Sequence, residues 1–126
     1  MKRLSLGEKF DWFIDTLNKS GMFILNLSNK EIETFIFEDL IVGITSFFSK
    51  NNLIELKEDE LIDEEIEKKA YLLRKKILTI DNTNLWNIDS VRRSPEWLDI
   101  FELSDELKKK LHERWSDEEI EYLKTI

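Results

Sequence analysis

His112 is the only histidine in the chain and cysteine is absent, so the side chains that most often do nucleophilic, acid–base or metal chemistry are nearly missing. Zinc sites built on thiolates or on several histidines cannot form from this set. A di-iron carboxylate bundle needs a Glu-x-x-His pair from each of two helices, and the residue three places before His112 is Lys109. No glycine-rich phosphate loop, nucleophile elbow or calcium loop occurs. His112 stands in the charged string Lys110-Leu111-His112-Glu113, where a solvent-facing place on a helix is expected. Carboxylates are plentiful, but none is singled out by an apolar setting that would raise its pKa for general-acid work. No catalytic residue, no metal site and no cofactor is expected, and the chain reads as a binding protein and not as an enzyme.

The chemistry that remains is charge. The chain carries 27 acids and 19 bases, a net charge of −8. Direct contact with free nucleic acid is disfavoured, because phosphates need clustered Lys and Arg. A basic protein is a suitable partner, since opposite fields raise the encounter rate, although solubility alone would also account for such a balance. The distribution says more. Between Glu55 and Glu65 lie seven acids, Glu55, Glu58, Asp59, Glu60, Asp63, Glu64 and Glu65, against one base, Lys57. Two or three acids in a first turn suffice to complement a helix dipole. The others repel one another at a cost the fold does not require, and a surface made to meet Lys and Arg would explain them. The stretch from Ser94 onward is also acidic, with ten acids and five bases.

A second cluster joins Trp86, Trp97 and Trp115 to Arg92 and Arg93, residue types favoured at interface hot spots. The alternative is that the tryptophans staple the loop and last helices to the core, and Trp86, in its polar loop, fits either reading. The candidate partner-binding residues are thus Glu55, Glu58, Asp59, Glu60, Asp63, Glu64, Trp86, Arg92 and Arg93.

The elements that must position these residues are helical. The 126 residues hold only three Gly and one Pro, with eight Phe and four Trp in a 41% hydrophobic composition, enough for the core of one domain spanning 1–126. Ser5-Leu6-Gly7-Glu8 has capping-box spacing and opens a helix to about Lys19 that carries Phe10, Phe13, Ile14 and Leu17 on one face, with Gly21 placed to end it in a left-handed conformation. Met22 to Leu27 suits a buried extended segment or a helical turn. Ser28-Asn29-Lys30-Glu31 is a second capping box, followed by the stripe Ile32, Phe35, Ile36, Leu40, Ile44 and Phe47, with Phe37, Ile41 and Phe48 beyond it; Ser49 to Asn52 ends that helix. From about Leu53 to Ile80 the pattern is one further helix, with Ile62, Ile66, Ala70, Leu73 and Ile77 on a face. Asp81 to Asn84 is a loop. Ser94-Pro95-Glu96-Trp97 combines an N-cap, proline at the first helical position and an acid in the first turn. Ser116-Asp117-Glu118-Glu119 is a third capping box.

These signals predict an all-α fold, a single compact bundle of five to six helices. The start, Met1-Lys2-Arg3-Leu4, leads into charged residues and not into an apolar signal core. The most apolar stretch, Phe35 to Phe48, is broken by Glu38 and Asp39, as in a buried helix and not a membrane span. A cytoplasmic protein without membrane contact is expected; oligomeric state is left open.

From Trp86 onward the string Trp-Asn-Ile-Asp-Ser-Val-Arg-Arg-Ser-Pro-Glu-Trp-Leu-Asp-Ile-Phe-Glu-Leu-Ser-Asp-Glu-Leu resembles the C-terminal helices of small bacterial immunity proteins of contact-dependent inhibition and related polymorphic toxin systems. The similar features are the Ser-Val-Arg lead, Ser94 ahead of an acid and Trp97, and Leu103-Ser104-Asp105, over about a third of the chain. The resemblance implies a cytosolic protein that binds a cognate toxin domain, often a nuclease with a basic face, and denies it substrate. It supplies no contact residues. Composition is also compatible with a phage-encoded acidic inhibitor or nucleic-acid mimic of a defence nuclease, and with a helical regulatory or structural module.

Overall fold

Each helix among the described residues begins on a side-chain oxygen that accepts a backbone N–H of its first turn, the groups a helix leaves unpaired. Ser5 starts α1 (Leu6–Leu17), Ser28 starts α2 (29–47), Ser49 starts α3 (Lys50–Glu58) and Asp63 starts α4 (Glu64–Ile80). Asn87 starts α5 (Ile88–Arg93), Ser94 starts α6 (Pro95–Arg114) and Ser116 starts α7 (Asp117–Leu123). The three capping boxes read from the sequence are formed, with Glu8, Glu31 and Glu119 each reaching back to its serine's amide. The computed structural model describes residues 4–126; Met1, Lys2 and Arg3, which belong to the charged start, lie outside the described residues.

The architecture is all-α, with seven helices and a 3₁₀ turn at Met22–Asn26 among the described residues, where five to six helices were expected. Part of the difference is a break in the predicted Leu53–Ile80 helix. Glu58, Asp59 and Glu60 put three like charges in succession, and Leu61 and Ile62 must then both reach the core, at 3% and 1% exposure. The chain turns there: the amides of Leu61 and Ile62 both donate to the Leu56 carbonyl, at 2.9 and 3.4 Å, and Asp63 restarts a helix by accepting from the Ile66 amide at 2.8 Å. The other addition is α5, short and capped by Asn87, in the stretch between the Asp81–Asn84 loop and Ser94 where no helix is predicted.

Gly21 does not end α1 in a left-handed conformation. The amides of Lys19 and Ser20 close the helix earlier, on the carbonyls of Thr16 and Leu17. Gly21 is extended, and a Cβ there would strike the Asp105 carboxylate and come within 2.8 Å of the Lys108 ammonium.

α2 runs through three contiguous stretches, Asn29–Ile32, the π-helical Glu33–Leu40, and Ile41–Phe47. Its fully buried residues are Ile32, Ile36, Leu40, Ile44 and, just past its end, Phe48, a strict spacing of four. In a straight α-helix that spacing drifts by about 40° per step. The wider π turns, bonded i to i+5, rotate back against the drift and keep the row on the core. Phe47, expected on the stripe, is instead half-buried at the edge, and Phe48 takes its place inside.

α4 and α6 pack closely against each other. Ile66, Ala70, Leu73 and Ile77 meet Ile100, Leu103, Leu107 and Leu111 in the shared core. Along the rim run the ion pairs Lys76–Asp99 (2.5 Å), Lys69–Glu106 (2.7 Å) and Lys110–Glu65 (3.2 Å). Lys69 holds the Glu106 carboxyl below its ordinary 4.5, first by hydrogen bonding and then by charge. Glu31 and Glu119 are lowered by the backbone amides and hydroxyls of Ser28 and Ser116. Carboxyls depressed on folding contribute stability that is present above 4.5 and fades as pH falls through their folded values. The urea midpoint should therefore be lower at about pH 3 than at about pH 6, and Glu106→Gln should flatten part of that slope. A slope unchanged in this variant would remove the Lys69 pair from acid sensitivity.

Candidate interaction surfaces

The acidic run forms the elbow between α3 and α4, and the structure divides its residues by duty. Glu55 is half-buried and occupied, its two oxygens accepting from the Lys9 ammonium of α1 at 3.0 and 2.7 Å. Asp63 is spent on capping α4. Glu64 pairs with Lys68 at 3.2 Å and Glu65 with Lys110. Glu58, Asp59 and Glu60 are exposed, and among the described residues no cation lies within ion-pair distance of them. Three adjacent acids thus face solvent without an ion pair among the described residues.

This elbow is fixed by the end of α6. Arg114 Nη2 donates to the Glu60 carbonyl at 2.6 Å, and Trp115 Nε1 donates to the Leu61 carbonyl at 2.9 Å. The Arg114 guanidinium also lies 5.3 Å from the Trp115 ring centroid. Glu60 itself has φ +65°, the left-handed region where any residue with a Cβ is strained by roughly 1 kcal/mol or more. Glycine would relieve that strain, yet the position holds an acid. Glu60→Gly should therefore leave the free energy of unfolding, read from the urea midpoint, unchanged or raise it by up to about 1 kcal/mol, whereas loss of stability would mean that the Glu60 side chain supports the fold.

The tryptophan–arginine cluster is turned largely inward. Trp97 is fully buried and its Nε1 donates to the Leu85 carbonyl at 2.8 Å. Trp86 is half-buried between Phe37 (5.1 Å) and Trp97 (5.6 Å), in a ring series that continues to Phe101. Arg92 clamps the 3₁₀ turn to α5, donating to the carbonyls of Leu25 (3.3 Å) and Leu27 (2.7 Å) and to Asn29 Oδ1 (2.9 Å). Of this set only Arg93 is exposed, paired with Asp89 one turn back at 3.0 Å. The stapling role accounts for Trp86 and Arg92, and the elbow lies apart from them in sequence and in its contacts. His112 is exposed, with Nε2 3.2 Å from Asp117.

A second exposed feature has no counterpart among the sequence candidates. Trp12 projects from the outer face of α1, 47% exposed, and stacks on Phe47 of α2 with centroids 5.4 Å apart and planes 11° from parallel. Val42, 62% exposed, stands beside it in a groove of about 240 Å³ whose edges are Asp15, Glu38 and Asp39. Gly43 lets the two helices approach, since a Cβ there would overlap the Thr16 side chain. The signal was present in sequence: Trp12 falls off the Phe10, Phe13 and Leu17 face, flanked by Asp11 and Asp15, which is an unfavourable place for an indole that only needs burial.

Among the described residues no three His, Asp or Glu side chains converge to hold a metal, and no helix is long and apolar enough to cross a membrane. The chain matches no protein-family model, and no curated protein or solved structure similar to it is found.

Proposed function

We propose that this protein is a bacterial immunity protein that neutralises a cognate toxin domain by stoichiometric binding, with the α3–α4 elbow steering capture of a basic face. The observation that carries this reading is the elbow: Glu58, Asp59 and Glu60 are exposed and form no ion pair among the described residues, and the chain there is clamped from the end of α6 at the carbonyls of Glu60 and Leu61. A rigid, predominantly acidic patch speeds encounter with an opposite field and loses little entropy on docking. The resemblance of the Trp86–Leu107 segment to immunity-protein helices supports the toxin as partner, and a nuclease is the toxin class whose basic face such a surface suits.

The test is genetic and kinetic. The neighbouring reading frame should encode the C-terminal domain of a large toxin, lethal when expressed alone and tolerated when co-expressed with this protein. The triple change Glu58→Lys, Asp59→Lys and Glu60→Lys should slow association with that domain by roughly one to two orders of magnitude at low salt. Asp63 and Glu55 are left intact because they hold the fold. Failure of co-expression to protect cells would overturn the toxin reading, and protection from a phage-targeted nuclease instead would assign the protein to the acidic inhibitors of defence enzymes. Association unchanged by the triple variant would remove the elbow from recognition.

A further inference from the structure

We infer that the groove between α1 and α2 is a second contact site, built to receive an arginine side chain of a protein partner. The floor is aromatic and fixed. Trp12 stacks on Phe47 nearly parallel, so one side of the indole is supported while the residue stays 47% exposed. The rim is acidic: Asp15, Glu38 and Asp39 border the groove against a single base, Lys19. Lys19 is drawn to one end, 3.5 Å from Asp39 and 4.7 Å from the centroid of the Phe35 ring. Asp15 and Glu38 have no cation within ion-pair distance among the described residues.

An exposed indole in a groove that Asp15, Glu38 and Asp39 also line selects among side chains. A planar guanidinium stacks on the ring while its N–H groups reach carboxylates in the same plane. An ammonium is more strongly hydrated and cannot stack, and an aliphatic chain leaves the carboxylates without a partner. Close packing of α1 on α2 at Gly43 and Thr16 holds the two walls in register, so the site exists before the partner arrives. The inference rests on the reading that the protein acts by binding a basic partner. It adds an anchor, separate from the elbow, that would govern release where the elbow governs capture.

The experiment uses the full chain and three short capped peptides, Leu-Arg-Leu, Leu-Lys-Leu and Leu-norleucine-Leu, followed by the indole N–H signal of Trp12 in two-dimensional NMR. Trp12→Phe identifies that signal by its disappearance. The arginine peptide should shift it saturably, binding about fivefold or more tightly than the lysine peptide. Glu38→Gln with Asp15→Asn should weaken the arginine peptide by about fivefold or more, and Glu58→Lys with Asp59→Lys should leave it unchanged. No saturable shift, an equal response to norleucine, or binding that survives loss of both carboxylates would each overturn the proposal. Because the peptides need no toxin, failure of the groove and failure of the toxin reading are separable: cells protected without peptide binding sink the groove alone, and peptide binding without protection sinks the toxin.

Discussion

Trp97→Ala lowers the free energy of unfolding by about 3–5 kcal/mol, measured from the urea midpoint at constant m-value. The residue is fully buried, its ring meets Trp86 at 5.6 Å and Phe101 at 5.8 Å, and its Nε1 satisfies the Leu85 carbonyl. Truncation removes the largest fully buried side chain, leaves a cavity the neighbouring rings cannot collapse into, and strips that carbonyl of its donor. A domain of this size has about 5–15 kcal/mol in total, so the variant is left close to unfolding at physiological temperature. Trp97→Phe separates the two losses: it keeps most of the ring and forfeits the hydrogen bond, and should cost about 1–3 kcal/mol. Trp86→Phe should cost less than either full truncation, because Trp86 is only half-buried. An unchanged midpoint in Trp97→Ala would mean that the last two long helices do not dock as described, and the α6 clamps on the elbow would lose their footing with it.

What could be read in advance was what neighbouring residues decide. The capping boxes at Ser5, Ser28 and Ser116 form because serine and glutamate three places apart are sufficient for the geometry, whatever surrounds them. The face Ile66, Ala70, Leu73 and Ile77 buries as predicted because the helix has one apolar side and one core to put it in. The α3–α4 break was legible in principle, since Leu61 and Ile62 stand five and six places after Leu56, out of phase with the three- and four-residue spacing of one apolar helix face. The spacing of four in α2 was also visible, but only its conflict with an α-helical period reveals a π stretch. What was illegible depended on tertiary contact. Arg92 is tied to carbonyls more than sixty positions away, and nothing near Arg92 announces this. Trp86 sits in a polar string, yet Phe37 and Trp97 enclose it.

The same division holds for the candidate site. Summed over the Glu55–Glu65 run, the negative charge is a compositional fact, and it overstates the surface available to a partner. Glu55, Asp63, Glu64 and Glu65 already have partners within the fold, which leaves Glu58, Asp59 and Glu60 as the free charge. Exposed ion pairs contribute little to stability, so the unpaired acids are neither a large liability to the fold nor needed by it. Their adjacency, and the hold of Arg114 on the Glu60 carbonyl and of Trp115 on the Leu61 carbonyl beside it, are what make them a patch and not a scatter.

Gly43→Ala brings two expectations of opposite sign into one measurement. In a helix interior alanine is favoured over glycine by about 1 kcal/mol, so propensity alone predicts stabilisation. Packing predicts the reverse, because the new Cβ would overlap the Thr16 side chain on α1. Thr16 is itself buried, with its hydroxyl donating to the Trp12 carbonyl at 2.8 Å, and cannot swing away without giving up that bond. Forcing a methyl into a packed helix crossing costs about 1–3 kcal/mol. The net should be a loss of up to about 2 kcal/mol after the propensity gain. Thr16→Ala in the same chain should recover much of the loss by clearing the overlap, a coupling that a double-mutant cycle reads directly. Stabilisation by Gly43→Ala, or a cycle without coupling, would show that α1 and α2 do not meet at this point. The consequence reaches the groove, because Trp12 and Phe47 stack only while those helices stay this close. A chain that tolerates the methyl freely would have no fixed wall on which an arginine could rest.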